Sequence, residues 1–333
     1  MSQTILLTGI TGFIAKRIAF DLLSKGYTVK GSLRSNAREA EVRAAVQGAQ
    51  AEERLSFVTL DLNSDEGWEA AMVGVDAVFH TASPFPLTQP KDEAEIITPA
   101  VEGTLRAMKA AQKAGVTRVV LTASMVSVMH NDYPASHTYT SADWTDVNDP
   151  SVNAYAKSKT LAEKAAWEFT KAHPEMQLTT VHPGLVCGTP TDANYGSSLE
   201  VVERILSGKD PMQPDLGLPM IDVEDVSKMH ILAFETPDTI GQRLLGSESW
   251  WTFPQMAETL KAAYPTRKIS TRIAPRFMLK LLSLFDPAIK TILPQVGKHL
   301  SIDASQTEKL LGLTFIPGKE AILKSAAFID QAK

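Results

Sequence analysis

The sequence predicts an α/β fold: a doubly wound parallel sheet with a smaller C-terminal part. Three observations predict it. Up to about residue 185, short β-branched or apolar runs alternate with longer amphipathic stretches, the rhythm of repeated βαβ units. A glycine-bearing turn stands at the first strand-to-helix junction. Beyond 185 the rhythm lapses, and Gly and Pro crowd the stretch 183–219, which predicts long loops and a smaller unit. No linker, repeat or low-complexity tract separates the two parts, so residues 186–333 are expected to pack directly on 1–185, with some chain returning to the first unit. A cleft between them is the default ligand site.

In order, strands are expected at 4–7, 28–33, 55–60, 77–80, 118–122 and 178–181, and helices at 12–25, 38–48, 64–72, 92–114 and 151–173. Gly26 and Gly115 follow helical stretches and are expected in the left-handed conformation that ends a helix. In the second part, helices are expected at 199–207, 223–235, 251–264, 275–284 and 305–311, with strand fragments near Ile221 and from Arg243 to Leu245.

The chain has 333 residues, enough for a substantial core, and a net charge of −5 spread without a basic stripe. Disorder and nucleic-acid binding are poor fits. Its apolar runs fall far short of the roughly 20 residues that cross a bilayer, and the N-terminus does not read as a signal peptide. The single Cys187 fits a reducing compartment and a buried structural role, so a cytoplasmic protein with no metal centre is expected, as monomer or homodimer.

The first strand runs into Thr8-Gly9-Ile10-Thr11-Gly12-Phe13-Ile14-Ala15. Gly9 permits the tight turn, Gly12 lets backbone approach a pyrophosphate, and Ala15 lets helix and strand pack closely. The helix N-terminus, with Thr11, Phe13 and Ile14 around it, then favours the anion. At the end of the second strand an acid would hold a free ribose 2′-hydroxyl; this chain has Arg34 there, suited to a 2′-phosphate, with Arg38 four residues on as a second donor. Asp61 and Leu62 at the third strand's end are candidates to bond and flank an adenine, Asp61 alternatively capping the next helix. Thr81, Ala82 and Ser83 after the fourth strand are small enough for a ribose and diphosphate to pass, while His80 reads as a core histidine.

Tyr155 and Lys159 stand four apart on one helical face. A phenol with pKa about 10 is a poor acid-base group at neutral pH unless its anion is stabilised, and a neighbouring ammonium supplies that. Lys157 faces elsewhere. Ser124, at the C-terminal rim of the fifth strand, is the candidate holder of a carbonyl oxygen, with Thr122 deeper and read as core.

These residues, together with 182–186 (His-Pro-Gly-Leu-Val), resemble the extended short-chain dehydrogenase/reductase superfamily. More narrowly, 78–84 and 155–167 resemble the dihydroflavonol-4-reductase, cinnamoyl-CoA reductase and aldehyde or methylglyoxal reductase group. Ile221-Asp222-Val223-x-Asp225-Val226 and the stretch from Leu310 to Pro317 extend the likeness over essentially the whole chain. The resemblance implies a Rossmann domain with a substrate domain, NADPH as cofactor, and Ser124, Tyr155 and Lys159 as the catalytic set. It also places Pro183, Leu185 and Val186 against the nicotinamide. Ala15 stands for the commoner third glycine, Ala123 for a serine, and Glu39 and Glu41 occupy a stretch where relatives carry a basic residue, leaving Arg38 to substitute.

Candidate pocket walls are Phe85, Met125, Leu185 and Tyr195 beneath the 216–220 loop; their apolar character favours an aldehyde or ketone as the small-molecule substrate. Two other readings remain: a nucleotide-sugar epimerase or dehydratase of the same superfamily, against which Arg34 speaks, and a dinucleotide sensor without turnover, against which Tyr155 and Lys159 speak.

Overall fold

The computed structural model describes residues 2–49, 51–84, 92–285, 289 and 292–331. Seven strands form one parallel sheet: β1 (Thr4–Thr8), β2 (Thr28–Leu33), β3 (Leu55–Thr59), β4 (Ala77–His80), β5 (Arg118–Thr122), β7 (Gln177–Pro183) and β10 (Arg243–Gly246), in the order β10-β7-β5-β4-β1-β2-β3. The chain winds outward from β1 through β2 to β3, then returns to lay β4 on the other side of β1. The strand order therefore reverses between β1 and β4, and their C-terminal ends open a crevice.

Side-chain alternation along β1 divides the core. Ile5 and Leu7 pack with α1 (Phe13–Ser24), α2 (Glu39–Val46) and α7 (Val223–Glu235), whereas Leu6 packs with α3 (Trp68–Ala71), α4 (Ala94–Lys113) and α5 (Ala154–Ala172). All three β1 side chains are fully buried, as strands covered on both faces require. Gly26 and Gly115 do end α1 and α4 with positive φ, +96° and +74°.

The helix expected over 64–72 shrinks to α3. Asp61 and Ser64 accept N–H bonds from residues two further on, forming local turns, and Gly67 has φ +84°. A second sheet has the order β11-β9-β8, from Ser249–Thr252, Gly217–Asp222 and Leu185–Cys187. It packs with α6 (Ser197–Ser207), α8 (Phe253–Ala263) and α11 (Gly318–Gln331). Sequence periodicity did not reveal β8, β11 or α11. The chain also forms helices α9 (Arg276–Leu282) and α10 (Ser305–Leu311) and the two-residue parallel pair β6 (Thr138–Tyr139) and β12 (Ser301–Ile302). Among the described residues no helix is long and apolar enough to cross a membrane, and no cluster of His, Cys, Asp and Glu is arranged to hold a metal ion.

Candidate active site

A cleft of about 370 Å³ opens at the C-terminal ends of β1, β4 and β5. One wall is the glycine turn. Gly9 has φ +67°, and a Cβ there would stand 2.9 Å from the Ala82 Cα. Its N–H donates to Ser32 Oγ at 2.9 Å, and the Gly12 N–H donates back to the Gly9 carbonyl at 2.9 Å. Gly12 leads α1 with no side-chain cap, so the first-turn N–H groups are left for an anion. Ala15 is buried where helix and strand meet, and Thr11 is half-buried in the turn. Gly9→Ala is expected to lower stability by about 1–2 kcal/mol from the left-handed backbone alone, with the clash on Ala82 adding to it; a urea midpoint unchanged from the parent would contradict this geometry.

Thr8 laces the two strand ends together. Its hydroxyl oxygen accepts the N–H groups of Thr81 and Ala82, each at 3.1 Å, leaving its proton for His80 Nδ1 at 3.0 Å. The Thr81 hydroxyl donates to the Thr8 carbonyl. Thr81 and Ala82 thus shape the wall with their backbone, and Thr81 and Ser83 line the cleft. His80 is the core residue expected: burial, then the charge of Lys159, lowers its pKa to about 3.

The opposite wall carries the proton-transfer group. Asn153 Oδ1 accepts the Ala156 N–H at 2.9 Å and starts α5, which sets Tyr155 in its first turn and Lys159 one turn later. The Tyr155 hydroxyl faces Ser124 closely enough for the serine to favour the phenol's anion, and both line the cleft. Ser124 in turn caps the short turn Met125–Ser127, accepting the Val126 N–H at 3.4 Å. Lys159 Nζ donates to the Thr122 carbonyl at 3.2 Å. Lys157 points away and pairs with Glu93 at 2.9 Å.

Electrostatics here departs from the sequence expectation. Burial raises the Tyr155 phenol to about 12, with the Ser124 side chain pulling the other way, and burial lowers Lys159 to about 8 against the raising field of Glu163. Lys159 was expected to depress the phenol. In this structure the low dielectric penalises both charged forms and outweighs that attraction.

Arg34, exposed just past β2, enters no ion pair among the described residues. Arg38, expected to share the same anion, is instead held by Glu41 through two bonds of 2.7 and 2.8 Å. Glu41 also accepts from Lys16 Nζ at 2.9 Å, and Lys16, fully buried, reaches Asp192 at 2.6 Å. The bond from Arg38, with those from Lys16 and Asn194, lowers the Glu41 carboxyl to about 2 against the cost of burial. This knot ties α1 and α2 to the loop before α6; periodicity gave no sign of it, because Lys16, Glu41 and Asp192 lie far apart in sequence.

Asp61 is exposed and its carboxylate turns back to Asn63, so the helix-capping alternative is not realised. Leu62 packs on α4 where Gly103 makes room: a Cβ there would meet the Leu62 side chain at 2.6 Å. Neither Asp61 nor Leu62 lines the cleft. Pro183 and Val186 do, as do Phe13, Ile14 and Tyr195, whereas Leu185, on β8, packs into the cluster between the second sheet and its helices. Met125 corrects the expectation of a pocket wall: it is 1% exposed, turned into the core by the short helical turn that Ser124 begins. Phe85 lies outside the described residues. The cleft also includes Gly184 and the run Gly196-Ser197-Ser198, which sequence reasoning passed over; the Gly at 196, opening a polar helix start, was the available signal.

The fold is that of an extended short-chain dehydrogenase/reductase. The chain belongs to the NAD dependent epimerase/dehydratase family, whose pattern matches residues 5–244. It is 34% identical to cinnamoyl-CoA reductase 1 of Arabidopsis thaliana over 275 residues, covering 81% of this chain and 77% of the relative. Against cinnamoyl-CoA reductase 1 of Petunia hybrida the figure is 31% over 336 residues, covering 99% and 92%. Among solved structures, the yeast methylglyoxal/isovaleraldehyde reductase Gre2 complexed with NADPH superposes with a TM-score of 0.84 at 29% identity, covering 99% of each chain. These relatives fall within the reductase group that the sequence motifs resemble.

Proposed function

We propose that the chain is an NADPH-dependent carbonyl reductase that converts an aldehyde or ketone to an alcohol, with Tyr155 as proton donor. The observation that carries this reading is that Tyr155 and Ser124 share one cleft with an uncapped glycine turn, with Lys159 one helical turn behind. The cofactor fits the cleft's construction. A Cβ at Gly9 would fill the gap between the two strand ends, and α1 offers free N–H groups to a pyrophosphate. The relatives named for NADPH and for cinnamoyl-CoA or methylglyoxal reduction support the same assignment.

Gly9, Gly12, Phe13 and Ile14 would then hold the diphosphate, Arg34 the 2′-phosphate, Thr81 to Ser83 the ribose passage, and Pro183 and Val186 the nicotinamide end. Residues 1–185 supply most of these groups, and 186–333 would supply most of the substrate's walls, Tyr195 among them. Bound NADPH supplies the hydride that forms the new C–H bond at the carbonyl carbon. Ser124 donates a hydrogen bond to the carbonyl oxygen as it gains charge, and Tyr155 gives that oxygen its proton. The Lys159 ammonium stabilises the phenolate left behind until solvent returns a proton.

Two consequences are measurable. Lys159, lowered to about 8, loses its charge as pH rises through that value, while Tyr155, at about 12, keeps its proton. Turnover is therefore expected to fall on the alkaline side with a midpoint near 8; a profile flat to about pH 10 would show that the ammonium is not required. The reaction class is tested by supplying NADPH with a panel of aldehydes, dicarbonyls and ketones and, separately, a nucleotide sugar. Cofactor loss with carbonyl compounds supports the reductase, and isomerisation of the sugar without cofactor loss would replace it with an epimerase.

A further inference from the structure

An ionic cluster with a fully buried carboxylate at its centre lies beneath the Tyr155 helix and the Ser124 strand end, and none of its charges lines the cleft. Its centre is Glu163, on α5 four residues after Lys159 and eight after Tyr155, and 1% exposed. The carboxylate accepts Arg243 Nε from β10 at 2.7 Å and Nη2 at 3.2 Å, the Ser127 hydroxyl at 2.7 Å and Trp167 Nε1 at 3.1 Å. It lies 3.1 Å from His182 Nε2 on β7.

Two of these partners touch the catalytic serine's main chain: Ser127 Oγ stands 2.8 Å from the Ser124 carbonyl and His182 Nδ1 3.3 Å from it. Arg243 extends the brace outward, donating to the carbonyls of Ser141 at 2.7 Å and Asp143 at 2.6 Å and stacking 3.8 Å above Trp144. One carboxylate thus joins the tyrosine helix to the serine's turn and to the two strands beyond it.

We propose that Glu163 is a positioning residue, whose carboxylate, clamped by Arg243 and His182, sets the Tyr155–Lys159 face of α5 against Ser124 and keeps the Lys159 side chain charged in the cleft. This rests on the reductase reading of that cleft. A joint between a helix and a sheet needs no charge, since apolar packing of the same volume serves as well. What apolar packing cannot do is act on the ammonium one turn away. Burial would raise the Glu163 carboxyl, yet His182 and Arg243 hold it well below the usual carboxylate range. The charged and titratable groups around Lys159 are Glu163 and Tyr155 on its own helix, His80 on β4, and, across Glu163, His182 on β7 and Arg243 on β10. Of these Glu163 is the acid whose field favours the ammonium.

The test compares the parent with Glu163→Gln, which keeps the shape and an acceptor but loses the charge. It adds the double variant Glu163→Gln/Arg243→Gln, in which no buried guanidinium is left unpaired. Circular dichroism and NADPH titration check folding and cofactor affinity, and NMR of carbon-labelled lysine reads the Lys159 titration without reference to turnover. In both variants the expected result is NADPH affinity within about three-fold of the parent, kcat lower by about ten-fold or more at little change in KM, and the Lys159 midpoint and alkaline limb shifted to lower pH. An unchanged Lys159 midpoint overturns the proposal, as does recovery of parental kcat in the double variant, because a purely structural brace would be repaired by charge balance. A parent that turns over no carbonyl compound defeats the reductase reading instead, and the lysine titration still decides whether Glu163 holds the ammonium.

Discussion

Replacing Tyr155 with Phe is expected to reduce turnover by about 10²–10⁴-fold, the range that positioned acid-base catalysis typically supplies. The phenyl ring preserves the packing of the first turn of α5, and Asn153 still caps the helix through Ala156, so the fold and the Lys159 position survive. NADPH affinity should stay within a few-fold of the parent. Ser124 keeps its place, because its Oγ still begins the turn after β5. A variant that retains more than about a tenth of parental kcat, or that loses cofactor affinity in step with activity, would remove Tyr155 from the proton-donor role.

Arg34→Ala is expected to weaken NADPH by about 10- to 150-fold and NADH far less, since a charge-assisted hydrogen bond contributes about 1.5–3 kcal/mol. The structure sharpens this prediction by separating two arginines that the sequence left as partners. Arg38 is engaged by Glu41 through both Nε and Nη2, and Glu41 is engaged again by buried Lys16. Arg34 enters no such pair among the described residues. Arg38→Ala should therefore cost much less NADPH affinity than Arg34→Ala. Equal weakening of both cofactors by Arg34→Ala, measured by fluorescence titration, would show that this guanidinium does not read the phosphate.

What could be read without coordinates was short-range. Gly9 and Gly12 sit at a strand-to-helix junction, Tyr155 and Lys159 one turn apart, and Ser124 at a strand end; backbone periodicity is enough to bring each to the crevice. Strands buried on both faces carry continuous apolar runs, so β1, β4 and β5 stood out, while β8 and β11, three and four residues long in the irregular part, did not. The last helix was legible in principle: Ala321, Ile322, Ser325, Ala326 and Ile329 make one buried face after Pro317. Met125 was misjudged because whether the residue after Ser124 faces cleft or core depends on a turn geometry that sequence spacing does not set. The Glu163 brace and the Lys16 knot escaped altogether. Each joins residues from separate elements, Glu163 to Arg243 and Lys16 to Asp192, and charge patterning along one helix cannot show a partner on another.

The central claim is net hydride transfer to a carbonyl carbon, and the direct measurement uses NADPH deuterated at the transferring position with whichever carbonyl compound is consumed fastest. The account predicts one NADPH oxidised per alcohol formed, with deuterium on the former carbonyl carbon and on a single face of it. Alcohol formed without label, or a nucleotide sugar isomerised while NADPH stays intact, would contradict it.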